Sequence, residues 1–109
     1  MIQPLLGPLN CERVLVFLRA RGRGYAREIA RYFKTGLSPV QQQLNSLERN
    51  GVVYSEFIGR TRVYKFDPRY PFLNEVGTLV DKVLEFYPSS DRQALLLNRR
   101  RPRRRGKPL

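Results

Sequence analysis

The segment from Leu37 to Phe66 constrains the fold most, because the spacing of its apolar residues changes halfway along it. Val40, Leu44 and Leu47 repeat at helical spacing, which predicts an amphipathic helix over residues 38–50. Beyond this helix, apolar and polar residues alternate, which predicts two strands joined by a short turn. We therefore expect a mainly α-helical chain with one small β-hairpin.

The start of the helix over residues 38–50 has a strong sequence signature. Ser38 is expected to cap it, Pro39 suits its first position, and Gln41 completes an S-x-x-Q capping box. The pair Asn50-Gly51 is expected to end it.

The remaining elements are predicted from the same two periodicities and from the positions of Pro and Gly. They are a helix over 11–21 capped by Asn10, a helix over 26–33, strands over 53–58 and 62–66, a long helix over 72–86 and a short helix over 91–98. The chain then divides into an irregular arm over 1–9, one domain over 10–90 and a basic tail over 91–109, flexible after 98.

Charge indicates the class of partner. The 109 residues contain 21 Lys and Arg against nine Asp and Glu, a formal net charge of +12. Seven of the cations and no acid lie in the last eleven residues. Such a balance favours a polyanionic partner, either nucleic acid or an anionic membrane surface. The longest apolar run is far too short to span a bilayer, so we expect no membrane partner and a cytoplasmic location.

Composition also argues against an enzyme. One cysteine and no histidine exclude a Cys/His zinc site, a Ser-His-Asp triad and a Cys-His pair within one chain. Cys11 is expected to be a buried helix residue. No phosphate-binding glycine loop and no paired-carboxylate motif is present, so we expect no metal, no cofactor and no catalytic residue.

Four segments resemble a known family: GYAREIA at 24–30, LSPVQQQLNSLERNGVV at 37–53, GRTRVY at 59–64 and DPRYPF at 67–72. The first two look like the small ArsR-like winged helix-turn-helix transcriptional regulators of bacteria and archaea. The last two are similar to a subset found beside minimal nucleotidyltransferases. One departure is Lys34, which stands where the helix-turn-helix signature commonly has glycine. The resemblance implies a winged helix-turn-helix with a C-terminal dimerisation helix, and a dimeric repressor acting on a prokaryotic nucleoid.

Residues of the predicted third helix and wing are candidates for binding double-stranded DNA. Gln and Asn amides can pair bidentately with adenine in the major groove, and Arg with guanine. The alternative is that the polar helix face is only solvated. The predicted base-reading residues are Gln41, Gln42, Asn45 and Arg49. The predicted backbone contacts are Ser38, Arg27, Arg31, Lys34, Arg60 and Arg62, together with the tail residues Arg99, Arg100, Arg101, Arg103, Arg104 and Arg105. For the wing over 59–62, which carries Arg60 and Arg62, we expect contact with the backbone or an adjacent minor groove. The alternative is ordinary solubilising charge on an exposed hairpin.

The long helix over 72–86 has an apolar stripe wide enough to leave surface exposed in a monomer. Pairing of two copies would cover it and set two reading helices one DNA turn apart. The alternative is packing on the first helix of the same chain. The predicted dimer interface consists of Leu73, Val76, Leu79, Val80, Val83, Leu84 and Tyr87.

A second hypothesis for the function stays open. The domain could be an adaptor that holds a partner enzyme such as a nucleotidyltransferase, or an RNA-binding protein that acts through its arginine-rich tail. Recovery of a palindromic DNA site would favour the regulator, and tight binding to structured RNA would favour the alternative.

Overall fold

The computed structural model describes the backbone of residues 7–100 and the side chains of residues 7–96. This part of the chain contains five helices and one two-stranded antiparallel sheet. The elements are α1 (Leu9–Arg21), α2 (Ala26–Tyr32), α3 (Leu37–Arg49), β1 (Val53–Ile58), β2 (Thr61–Phe66), α4 (Leu73–Glu85) and α5 (Ser89–Arg100). This confirms the predicted fold class: a mainly α-helical chain with a hairpin, in the order of a winged helix-turn-helix followed by a C-terminal helix.

Helix α1 is the centre of the core. Its residues from Val14 to Leu18 are all buried, so the helix has an apolar surface on every side. It packs against the four other described helices and against β2. Cys11 is buried in it, as predicted. The two DNA-binding candidates, α3 and the hairpin, are therefore attached to one shared core.

Three helices, α1, α3 and α5, begin one or two residues earlier than predicted. Helix α1 begins at Leu9 after Pro8, while the Asn10 side chain accepts a hydrogen bond from Arg13 Nη1 at 3.2 Å. Helix α3 begins at Leu37, and its N-cap is Gly36 rather than Ser38. The predicted capping box is therefore wrong. Proline is accommodated in the first turn because the N–H groups there have no partner within the helix.

The turn between α2 and α3 explains the departure at Lys34. This residue has φ 55°, a left-handed conformation that glycine adopts more easily. The helix-turn-helix geometry is kept with a lysine at that position, whose side chain is exposed.

The hairpin pairs in a fixed register, with Ser55 opposite Tyr64 and Phe57 opposite Arg62. Gly24 forms an isolated antiparallel bridge to β2, because its N–H and C=O both bond to the backbone of Tyr64, at 3.1 and 2.8 Å. A Cβ at Gly24 would lie 2.8 Å from the buried Phe17 ring. Only glycine fits this close approach of backbone to core.

The apolar stripe of α4 packs mainly inside its own chain. Val80, Val83 and Leu84 are only 2, 3 and 8 % exposed, because they face α1. Arg19 of α1 binds Asp81 with two hydrogen bonds, at 2.8 and 2.9 Å. These bonds also lower the pKa of Asp81.

The prediction that Val80, Val83 and Leu84 form a dimer interface is therefore wrong, and the alternative of packing on the first helix is correct for them. Tyr87 is also used within the chain, where its hydroxyl donates to the buried Glu12 at 3.2 Å. Leu73 and Val76 are half-buried, and Leu79 is exposed. Helix α5 extends over Ser89–Arg100, two residues further at each end than the short helix predicted over 91–98.

Candidate nucleic-acid interface

Helix α3 presents one polar face to solvent. Ser38, Gln42, Asn45 and Arg49 are all exposed and, at 100° per residue, lie within an arc of about 60°. The buried Val40 and Leu44 lie on the opposite side of the helix. The structure thus brings together three of the four predicted base-reading residues and the predicted phosphate contact Ser38.

Gln41 lies at the edge of α3 that faces the hairpin. It is half-buried, and its Nε2 donates to the Tyr64 hydroxyl at 3.0 Å and to Asn45 Oδ1 at 2.9 Å. The prediction that Gln41 projects outward with the other readers is wrong. The reason is that its helical position, about 70° from the centre of their arc, faces the hydroxyl of the buried Tyr64 on β2.

Arg62 also binds this edge of α3. Its Nη2 donates to Glu48 Oε1 at 2.9 Å and its Nε donates to Ser55 Oγ at 2.9 Å. Ser55 Oγ in turn donates to the other Glu48 oxygen at 2.7 Å. Arg62, one of the predicted backbone contacts, is thus exposed but paired with Glu48, and Arg60 is the cation at the tip of the hairpin.

The cations around α3 divide into paired and unpaired groups. Arg19, Arg21, Arg62, Lys65 and Arg69 form ion pairs with carboxylates. The exposed cations for which no carboxylate within residues 7–96 forms an ion pair include five of the predicted DNA contacts: Arg27, Arg31, Lys34, Arg49 and Arg60.

These unpaired cations lie on α2, on the turn after it, at the end of α3 and at the wing tip. No carboxylate among the described residues offsets their charge, so they can bind an external anion directly. A paired arginine would first have to break its ion pair. The distribution therefore makes the helix-turn-helix and the wing tip the parts of the described chain best suited to phosphate.

Arg21 has a structural use that the sequence did not suggest. Its guanidinium stacks on Phe17 and Tyr32, with its carbon 4.6 and 5.2 Å from the ring centroids. It also lies 3.7 Å from Glu28, whose carboxylate accepts from the Tyr25 N–H at the start of α2. Burial lowers the pKa of Arg21 and raises that of Glu28. This ion pair links α1 to α2.

Three residues of the interface were missed by the sequence reasoning: Glu48, Ser55 and Tyr64. The spacing of seven between Gln41 and Glu48 could have indicated one helix edge. The hairpin register could have placed Ser55 beside Tyr64. The sequence does not show on which side of α3 the hairpin packs.

The predicted backbone contacts of the tail lie at or beyond the end of the described residues. The tail residues Arg101, Arg103, Arg104 and Arg105 lie outside the described residues, as do the side chains of Arg99 and Arg100. Among the described residues, no group of three His, Cys, Asp or Glu side chains could hold a metal ion. None of the helices in that part of the chain is long and apolar enough to cross a bilayer.

Comparisons with known proteins add no relative. No protein-family model matches the chain, and no curated protein or solved structure matches it either.

Proposed function

We propose that the protein is a winged-helix transcriptional regulator that binds double-stranded DNA sequence-specifically. The observation that carries this proposal is the outward face of α3, where two amides and a guanidinium line up between unpaired cations on α2 and at the wing tip. A regulator of this kind acts on the nucleoid of a prokaryotic cytoplasm. As a repressor, it would occupy a promoter and exclude the transcription machinery.

Each part of the surface has a distinct role in this proposal. Gln42 and Asn45 present amides that can pair with the major-groove edge of adenine, and Arg49 presents a guanidinium suited to guanine. Arg27 and Arg31 on α2 bind phosphates, which fixes the register without reading sequence. Asn45 is already oriented, because its Oδ1 accepts a hydrogen bond from Gln41. Reading by an oriented amide loses less side-chain entropy on binding.

The proposal is tested by selecting bound sites from random duplex DNA. We expect the parent protein to recover a defined site, and Gln42→Ala or Asn45→Ala to relax base preference at one position of each half-site, by about 1–3 kcal/mol. Gln43→Ala is the matched control, because Gln43 is the neighbouring glutamine outside the outward arc and is half-buried. Its site preference should equal that of the parent.

Two results would contradict the proposal. One is a parent protein that recovers no site from the random pool. The other is a parent whose site preference survives both substitutions on the outward face. A structured RNA hairpin that outcompetes the selected duplex would favour the RNA-binding alternative instead.

We also propose that the regulator is a homodimer, through an exposed surface that shares only Leu79 with the predicted interface. Phe72 and Phe86 are 59 and 61 % exposed, and Leu79 lies between them at a spacing of seven residues. At this spacing the three side chains lie as an apolar stripe on one side of α4 and its two capping residues, and the described residues leave them exposed. Pairing of two copies along this stripe would remove it from water.

Sedimentation of Phe72→Ser/Phe86→Ser against the parent tests the assembly. We expect a dimeric parent and a monomeric variant with the helical content of the parent, because both side chains are exposed in the single chain. A monomeric parent, or a variant that remains a dimer, would show that the stripe is not the interface.

A further inference from the structure

The tip of the hairpin exposes two large apolar side chains. Phe57 is 68 % and Ile58 47 % exposed, directly before the two-residue turn Gly59-Arg60. At the other end of the same strand, Val53 is buried. Single exposed apolar residues are common on protein surfaces, but an adjacent pair at a protruding tip is typical of a contact site.

The orientation of Phe57 follows from the alternation along β1. Ser55 and Phe57 lie on the same face of the strand, and Ser55 Oγ donates to Glu48 of α3 at 2.7 Å. Phe57 therefore lies on the side of the hairpin that faces α3, about 7 Å further toward the tip. Ile58 lies on the opposite face, so the two side chains lie on the two sides of the tip.

The charge at the tip complements a polyanion. Arg60 is exposed beside the two apolar side chains, and no carboxylate of the described residues forms an ion pair with it. The nearest acid along the strand, Glu56, is on the other face from Phe57 and is paired with Lys65 at 3.0 Å. On the face that carries Phe57, the Glu48 carboxylate is bound by Ser55 and Arg62, so the ring lies beside a tip arginine that forms no ion pair with a described carboxylate.

Proteins that enter the DNA minor groove use this combination. Arginine is attracted by the negative potential of a narrow minor groove. Phenylalanine and isoleucine act as wedges between base steps, which they unstack, and the duplex bends away from them. A lipid surface would use the same two side chains, but the polar amides of α3, on the same side of the hairpin as Phe57, fit a nucleic acid better.

We infer that the wing tip is a minor-groove wedge, in which Phe57 inserts between base pairs beside the site read by α3 and bends the duplex. This inference rests on the proposed function and adds a source of specificity to it. Pyrimidine–purine steps unstack most easily, so such a step beneath the wing should be preferred at positions that α3 does not touch.

The test measures DNA bending by energy transfer between dyes at the two ends of the selected duplex. We expect the parent to bend it by about 20–90°. Phe57→Ala should lose most of the bend, bind about tenfold more weakly and lose the preference for a flexible step. Phe57→Leu is the matched control and should keep the bend, because leucine is also a wedge residue. Positions read by α3 should stay unchanged in both variants.

Each contrary result has a separate meaning. A parent that binds its site without bending it, or a Phe57→Ala variant that bends it as the parent does, overturns the wedge and leaves the proposed function intact. Loss of binding to phosphatidylglycerol vesicles by Phe57→Ala, with DNA binding unchanged, would make the tip a lipid contact and also overturns it. A parent that selects no DNA site refutes the proposed function and the wedge together. Equal thermal midpoints would show that the variants are folded.

Discussion

Truncation of Val80 tests whether the stripe of α4 belongs to the core of its own chain. Val80 is 2 % exposed and faces α1, whereas Lys82, two residues later on the same helix, is exposed. Val80→Ala should therefore destabilise each chain by itself. Were Val80 part of a dimer interface instead, its truncation would act through the association equilibrium and depend on protein concentration.

The expected magnitude follows from the burial. The substitution removes two buried methyl groups, at about 0.8 kcal/mol each, and leaves a small cavity that adds to the loss. Alanine regains about 0.5 kcal/mol through its higher helix propensity. The net loss of unfolding free energy should be about 1.5–2.5 kcal/mol, which lowers the thermal midpoint by about 6–20 °C in a domain of this size.

The measurement is thermal unfolding followed by far-ultraviolet circular dichroism at several protein concentrations. Lys82→Ala is the control and should stay within about 0.5 kcal/mol of the parent, as exposed substitutions usually do. The reasoning is refuted by a Val80→Ala protein that unfolds within that same margin. It is refuted equally by a difference from the parent that grows as the protein is diluted.

Two further predictions concern the core around α1. Gly24→Ala should cost about 1–3 kcal/mol, because its Cβ would lie 2.8 Å from the fully buried Phe17 ring; chemical denaturation checks this, and a neutral effect would contradict it. Burial first, and Glu12 second, raise the pKa of Tyr87 above its ordinary value of 10.0, so its contribution to stability is complete below that pH and is lost as pH rises beyond it. Unfolding experiments from pH 8 upward should show a smaller alkaline loss for Tyr87→Phe, and equal losses would contradict the coupling.

The sequence predicted the types of the elements because their periodicities differ strongly. Val40 and Leu44 mark the buried face of α3, and both are buried. It failed at the start of that helix, where Ser38 and Gln41 match a capping box but Gly36 is the cap. A capping signature shows only which local hydrogen bonds are possible. In the folded chain, the Gln41 side chain binds the Tyr64 hydroxyl instead of a backbone N–H at the start of the helix.

The predicted dimer interface failed for a different reason. Apolar spacing on α4 shows which side chains avoid water, but burial against α1 and burial against a second copy give the same pattern. Val80 and Val83 are buried against α1, whereas Phe72 and Phe86 are exposed at the two ends of the helix. The sequence-based interface did not include these two residues, although they share the seven-residue spacing with Leu79.

The contacts between α3 and the hairpin bear on how both could act on one duplex. Tyr64 is buried, and its hydroxyl holds Gln41 near the start of α3, while Glu48 holds Ser55 and Arg62 near its end. Two attachment points along a helix resist both sliding and rotation of the hairpin. The hairpin tip therefore keeps a fixed position relative to the polar face of α3. In the proposed complex, a duplex bound by α3 would meet the tip without a further ordering step. The entropy that a mobile hairpin would lose on binding is already lost on folding, which would favour affinity and make the spacing between the two contacts part of the specificity.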